Sequence, residues 1–129
     1  MVAELKQVVA DMVERVWRQG RLDELERFWT GDCVNHAAPP GHRHGIEELR
    51  RYHETFAAGL ADFEDVRIAI DDQVAEDDRV CTRLRTTARH APTGRPATLA
   101  TIRIDRIESG RIAEHWSVAD LAGLAAQLQ

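Results

Sequence analysis

At Phe63 the hydrophobic period of this chain changes from 3.6 residues to 2, and that change restricts the folds open to it more than any composition does. Upstream, Leu5, Val8, Val9, Met12, Val13, Val16 and Trp17 recur at helical spacing, giving an amphipathic first helix that Gly20 ends. Leu22, Leu25, Phe28 and Trp29 suggest a shorter second helix, closed by Thr30-Gly31-Asp32. Cys33 to His36 reads as a short extended piece, running into an Ala-Ala-Pro-Pro-Gly loop. A third helix is expected from about Gly45 to Leu60, with Ile46, Leu49, His53, Phe56, Ala57 and Leu60 on one stripe. Downstream, Val66, Ile68 and Ile70 alternate with charged residues, and Val74 continues the run to an Asp77-Asp78 turn. Val80 to Ala88 alternate again, reaching His90, and a further strand is expected from Ala97 to Ile107. Helices followed by an antiparallel meander make an α+β pattern, with helices packed on one face of the sheet. The strands exceed the usual five or six residues, so a strongly curved sheet closed by helices is expected, with a cavity for a small ligand inside.

The last hairpin concentrates the chemistry. It runs from Ile104 to Asp120, with Ser109-Gly110 as the tight turn because Gly accepts the positive φ such turns require. On a regular strand Ile112, Glu114, Trp116, Val118 and Asp120 share one face. That pattern sends Trp116 and Val118 towards the core and sets the Asp120 carboxylate at the end of an apolar face, where poor solvation raises a carboxyl pKa. Such a group suits proton transfer. Asp120 also stands where an N-cap for a helix starting at Leu121 is wanted, and the two roles are compatible.

The 129 residues form one domain, 1–129. A net charge of −5, from 17 basic and 22 acidic residues without a block of one sign, argues against nucleic acid or an anionic membrane as partner. No apolar run approaches the roughly 20 residues of a membrane span, and the amphipathic N-terminus is unlike a signal peptide. Cys33 and Cys81 form no disulfide framework or metal pattern, which fits a reducing cytoplasm.

The chain resembles the SnoaL-like polyketide cyclases of the NTF2-like superfamily over nearly its full length. The segments that carry the resemblance are Asn35-His36, Asp77-Asp78-Arg79-Val80 with Arg83, His90 followed by Thr93-Gly94-Arg95, and above all the ending from Ile104 to Gln127. The resemblance implies a cone of one curved antiparallel sheet, with about three N-terminal helices packed on its concave face, and a homodimer or larger assembly. It also implies acid–base chemistry without metal or cofactor on a small hydrophobic carbonyl compound. In the characterised cyclases an aspartate on the last strand abstracts an acidic proton from a polyketide ester, and the enolate closes a ring by aldol addition. The matching residue is Asp120.

His36, beside the Pro-Pro-Gly loop, and His90, which by the resemblance faces the cavity, join Asp120 as candidate catalytic groups. Trp17, Trp116, His53, Phe56 and Arg106 are the candidate substrate-binding residues, with Arg106 among inward positions Thr98, Ala100, Ile102 and Ile104. On the apolar stripe of the third helix, His53 reads first as a hydrogen-bonded core residue, and the same stripe could line the pocket. His115 alternates away from Trp116 and is expected on the outer face. Arg83 and Arg85 read as a solvated face or as ion-pair partners of Glu114 or Asp105. His36, His42 and His44 crowd one loop, but a flexible Pro/Gly segment gives no rigid frame for a metal. Outward positions Cys81, Leu99, Thr101, Ile107, Ala113 and Ala119 suggest a face able to pair with a second copy. A single tyrosine, Tyr52, weighs against a ketosteroid isomerase, and no second inward Asp is found for an epoxide hydrolase. Those two activities, and a non-catalytic binding or dimerisation module, are the alternatives to a cyclase.

Overall fold

The computed structural model describes residues 2–129. Helix α1 covers Val2–Met12 and continues as a π-helical segment over Val13–Arg18. A 3-10 turn at Leu22–Glu24 leads into the one-turn helix α2, Leu25–Phe28, and then directly into strand β1, Trp29–Asn35. Helix α3, Ile46–Gly59, is followed by four long strands and a last helix: β2 Phe63–Glu76, β3 Arg79–His90, β4 Arg95–Glu108, β5 Arg111–Ala119 and α4 Leu121–Gln127. The sheet order is β1-β5-β4-β3-β2. Neighbours from β2 to β5 pair antiparallel, and β1 joins the edge parallel to β5.

The expected α+β cone is therefore present, with helices covering one face of a curved, unclosed sheet. One boundary differs. Thr30-Gly31-Asp32 lies inside β1 rather than ending a helix, because the strand begins as soon as Trp29 turns into the core. The core joins Val9, Met12, Val13 and Val16 from the first helical segment to Leu25, Phe28, Trp29 and Leu49, and these meet Val80, Leu84, Ile107 and Ile112 of the sheet. Each such side chain contributes about 1.5–3 kcal/mol by leaving water.

Two β-bulges decide which residues face that core. Between β4 and β5 the register runs Ile107↔Ile112 and then Arg106↔Glu114, so Ala113 is an extra residue on β5. An inserted residue reverses the alternation beyond it. Ile112 and Ala113 are both buried, and from there His115, Ser117 and Ala119 point inward. Glu114, Trp116 and Val118 point to the convex face, with Val118 78% exposed. The expected parity of β5 is thus inverted, and so is that of β4. Leu99, Thr101, Arg103 and Asp105 face in, while Ile102 and Ile104 are exposed on the convex side. On β2 the second irregularity, between Ile70 and Asp72, sends Val74 to solvent and brings Gln73 in, where its Nε2 donates to the Lys6 carbonyl and to Thr82 Oγ1.

Candidate active site

The hollow of the sheet holds a cavity of about 230 Å³. Most of its wall is apolar, built from Val13, Ile68, Leu84, Leu99 and Leu121 with the rings of Trp17 and Phe56. Arg103, His115, Ser117 and Tyr52 also line it, with the hydroxyls of Thr86 and Thr101 as its other polar groups. Register puts the first three there. Asp105 stands opposite His115, and Arg103 opposite Ser117, on the inward face of the β4–β5 hairpin.

These side chains form one hydrogen-bonded chain. Arg103 grips Asp105 with two bonds, Nε to Oδ2 at 2.7 Å and Nη2 to Oδ1 at 2.8 Å. His115 Nδ1 lies 2.8 Å from Asp105 Oδ1, and its Nε2 lies 3.1 Å from Ser117 Oγ. Asp105 is fully buried, and Arg103 and His115 are nearly so. Burial alone would raise the Asp105 pKa, but the Arg103 charge and the His115 contact outweigh it and hold the carboxyl at about 2. An ionised carboxylate can only accept, so His115 Nδ1 must carry the hydrogen that it donates to Asp105. Burial, then the Arg103 charge, pushes the His115 pKa down against the pull of Asp105. The imidazole is therefore neutral near pH 7, with the Nε2 lone pair directed to Ser117 and the cavity. A neutral imidazole in a fixed tautomer, oriented by a buried carboxylate, has the chemistry to accept a proton.

The sequence-derived candidates fall into three places. Trp17 and Phe56 line the cavity, packed edge to face at 4.7 Å between ring centroids. His53 lines an adjoining hollow of about 120 Å³ on the far side of those rings. Its Nδ1 donates to the Leu49 carbonyl at 2.9 Å, its Nε2 has no protein partner, and burial pushes its pKa down to about 4.

Trp116, His36 and Arg106 lie together on the convex face instead. His36 stacks on Trp116 with 4.9 Å between centroids and sits 2.7 Å from Glu114, whose other oxygen accepts from Arg106 Nε at 3.0 Å. Arg79 lies over the Trp116 ring, 5.4 Å from its centroid. The bulge at Ala113 is the reason that Trp116 faces outward, while Arg106 does so by plain alternation with the buried Asp105 and Ile107 of β4.

Asp120 and His90 take the third place, at the ends of strands. Asp120 is the exposed N-cap of α4, and its Oδ1 accepts from the Gly123 amide at 2.9 Å. Gly123 lets the carboxylate sit this close, since a Cβ would lie 2.2 Å from Asp120 Oδ2 and would turn the side chain aside. His90 ends β3, half-buried, with Nδ1 2.9 Å from Thr93 Oγ1 and its ring against Phe63. Neither residue lines the cavity. Arg83 and Arg85 pair with Asp71, the extra residue on β2, rather than with Glu114 or Asp105. Among the described residues no three His, Cys, Asp or Glu side chains are placed to hold a metal ion.

Arg103, Asp105, inward His115 and Ser117 are the groups that sequence reasoning missed. Their signal was an Arg-x-Asp on one strand of a hairpin facing a His-x-Ser on the other. It pairs correctly only once the bulge is counted. Without Ala113 as an extra residue, the Ser109-Gly110 turn would set Asp105 opposite Glu114.

Comparison with known proteins agrees with this architecture. The pattern of the SnoaL-like polyketide cyclase family matches residues 7–128. IdmH of Streptomyces antibioticus, a candidate polyketide cyclase, superposes with a TM-score of 0.83 at 27% identity, covering 96% of this chain and 97% of its own. TsrD of Streptomyces laurentii gives 0.79 at 26% identity, with 98% and 95% covered. AclR of Streptomyces galilaeus, a candidate hydroxylase, gives 0.78 at 26% identity, with 99% and 97% covered. No curated protein matches by sequence. No described helix is long and apolar enough to cross a membrane.

Proposed function

The chain belongs to the SnoaL-like polyketide cyclase family, and from that premise we propose that it closes a ring in a small apolar carbonyl compound, with His115 as the general base. The observation that carries this is the His115 imidazole bonded to the buried Asp105 carboxylate, where Arg103, Ser117 and Tyr52 also line an otherwise largely apolar cavity wall.

A carbon acid bound in the cavity has its acidic C–H beside His115 Nε2. The imidazole takes that proton, and the electron pair moves onto the carbonyl oxygen as an enolate. Arg103 uses Nε and Nη2 on Asp105, which leaves Nη1 as a cationic donor for the developing oxyanion, with the Tyr52 hydroxyl on the same wall. The enolate carbon then adds to a second carbonyl of the same molecule, and the imidazolium returns its proton to the new alkoxide. Asp105 keeps its own negative charge throughout. It is a positioning residue that stabilises the imidazolium while it exists.

The test is exchange of the acidic proton of a 2-acyl ester in D2O, followed by NMR. General acid–base catalysis is worth roughly 10²–10⁴-fold, so His115→Gln should slow exchange by about that factor while the protein remains folded. If Asp120→Asn causes the loss and His115→Gln does not, proton transfer belongs to Asp120.

A further inference from the structure

The base described above has a hydroxyl already on it. Ser117 Oγ is 3.1 Å from His115 Nε2, and His115 Nδ1 is 2.8 Å from Asp105 Oδ1. Hydroxyl, imidazole and carboxylate therefore stand in series, with the carboxylate locked by Arg103. With Nδ1 committed as a donor to Asp105, Nε2 is an acceptor, so the Ser117 hydroxyl donates its hydrogen to it. That is the polarity a nucleophilic serine needs, and the arrangement is defined by geometry and roles rather than by fold or chain order. Ser117 also lines the cavity, so an acyl group bound against the apolar wall can reach its oxygen.

We propose that Ser117 is an acyl-accepting nucleophile and that the protein hydrolyses esters of small apolar carboxylic acids through a covalent acyl-serine. Ser117 Oγ attacks the ester carbonyl carbon, forming a C–O bond as its proton passes to His115 Nε2. The carbonyl π pair moves onto oxygen, beside Arg103 and Tyr52. Collapse of this intermediate breaks the bond to the leaving alcohol, which takes the proton from His115. Water then repeats the sequence on the acyl-serine, with His115 accepting its proton, and releases the carboxylic acid and free Ser117. The balance is ester plus water to acid plus alcohol, with no oxidation or reduction.

This activity shares His115 with proton transfer from carbon but is read by a different signal, a covalent mass. The native protein is incubated with phenylmethylsulfonyl fluoride, and the intact chain and its peptides are weighed. One sulfonyl group per chain, on the peptide holding Ser117, is the expected result. 4-Nitrophenyl butyrate should give a burst of nitrophenolate of one equivalent or less per chain, and Ser117→Ala, checked for folding by circular dichroism, should lose both signals by at least 10²-fold. A chain left unmodified, or modified at another residue, overturns the proposal. Peptide mapping of the native protein decides this even if Ser117→Ala fails to fold. Loss of carbon-acid exchange in His115→Gln with no adduct on the native chain would retire the nucleophile and leave the cyclase reading standing.

Discussion

The two faces of the sheet carry the same three kinds of side chain, Arg, carboxylate and His, joined in the same order. On the concave face Arg103, Asp105 and His115 are linked with both partners at 2.7–2.8 Å from the carboxylate. On the convex face Arg106, Glu114 and His36 are linked at 2.7–3.0 Å. Distances barely distinguish them. Burial does, because the side chain of Asp105 is 0% exposed and that of Glu114 is 24% exposed. In the hollow, the Arg103 guanidinium and the His115 contact keep the carboxylate charged against desolvation, while desolvation and that same guanidinium keep the imidazole neutral. On the outside, water can replace any of the three partners. Identical chemistry is preorganised on one side and adjustable on the other.

Breaking the inner cluster should have the largest effect. Asp105→Ala strands Arg103 as a buried charge without a partner and removes the group that orients His115. Loss of one member of a buried ion pair costs roughly 3–5 kcal/mol, so the denaturant midpoint should fall steeply. Proton exchange should fall with it in whatever fraction remains folded. A change no larger than that of a surface mutation would show that the hollow is wetter than the packing suggests.

Acid should sharpen the contrast next. Burial depresses the folded pKa of His53 from 6.5 to about 4, and that of His115 moves in the same direction. For each, the unfolded chain binds the proton first as pH falls. Their contribution is whole above about pH 6.5, and it drains away between that value and the folded pKa. For His53 the difference corresponds to about 3 kcal/mol across the window. Melting temperature should therefore plateau above pH 7 and drop from pH 6.5 to 4, and His53→Gln should flatten part of the slope. Asp105, held at about 2, adds its loss only at far lower pH. The same depressed pKa keeps His115 a competent base below the pH at which an ordinary histidine is half protonated.

The convex face differs in a second way, since it is apolar where the fold leaves it bare. Val74 is 61% exposed, Ile102 50%, Ile104 39% and Val118 78%. Large exposed apolar side chains gathered on a sheet face mark a surface for association, and a two-fold pairing of copies suits it. Light scattering at micromolar concentration should give at least a dimer, and Val118→Glu should shift it towards about half the mass. A wild-type monomer would remove this role from the face.

Much of the fold was legible in the sequence because each level of pattern agreed with the next. The change of period at Phe63 and the Ser109-Gly110 turn, with φ of 50° and 78°, set the elements and the hairpin. The site was less legible, for one physical reason. Apolar residues were taken to mark the inner face of β4 and β5, but Ile102, Ile104 and Val118 serve the outside, and the inner face spends its middle on Arg103, Asp105, His115 and Ser117. A charged pair in mid-strand looks solvated until its partner is known, and the partner depends on a bulge that alternation alone does not reveal. Trp17, Phe56 and His53 line the hollows because helical spacing turns one stripe of α3 and of the first helical segment towards the sheet, and the π-helical stretch at Val13–Arg18 leaves Trp17 on that stripe.

The smallest expected effect closes the comparison from the outside. His36 and then Arg106 hold the Glu114 carboxyl below its ordinary pKa, so the cluster resembles the inner one in direction. Its energy should not, because exposed ion pairs contribute only about 0–1 kcal/mol and are screened by salt. Glu114→Gln keeps the size and one hydrogen-bond acceptor, so His36 can remain stacked on Trp116. The urea midpoint should then shift by less than about 1 kcal/mol in equivalent stability, and 1 M salt should erase most of the difference between Glu114→Gln and the parent. Asp105→Ala measured in the same salt should keep its deficit, because a Debye length of roughly 3 Å does not reach into a dry interior. If Glu114→Gln proves as costly as Asp105→Ala, the convex face is buried in solution, and the place to look for its cover is a second copy seated on Ile102, Ile104 and Val118.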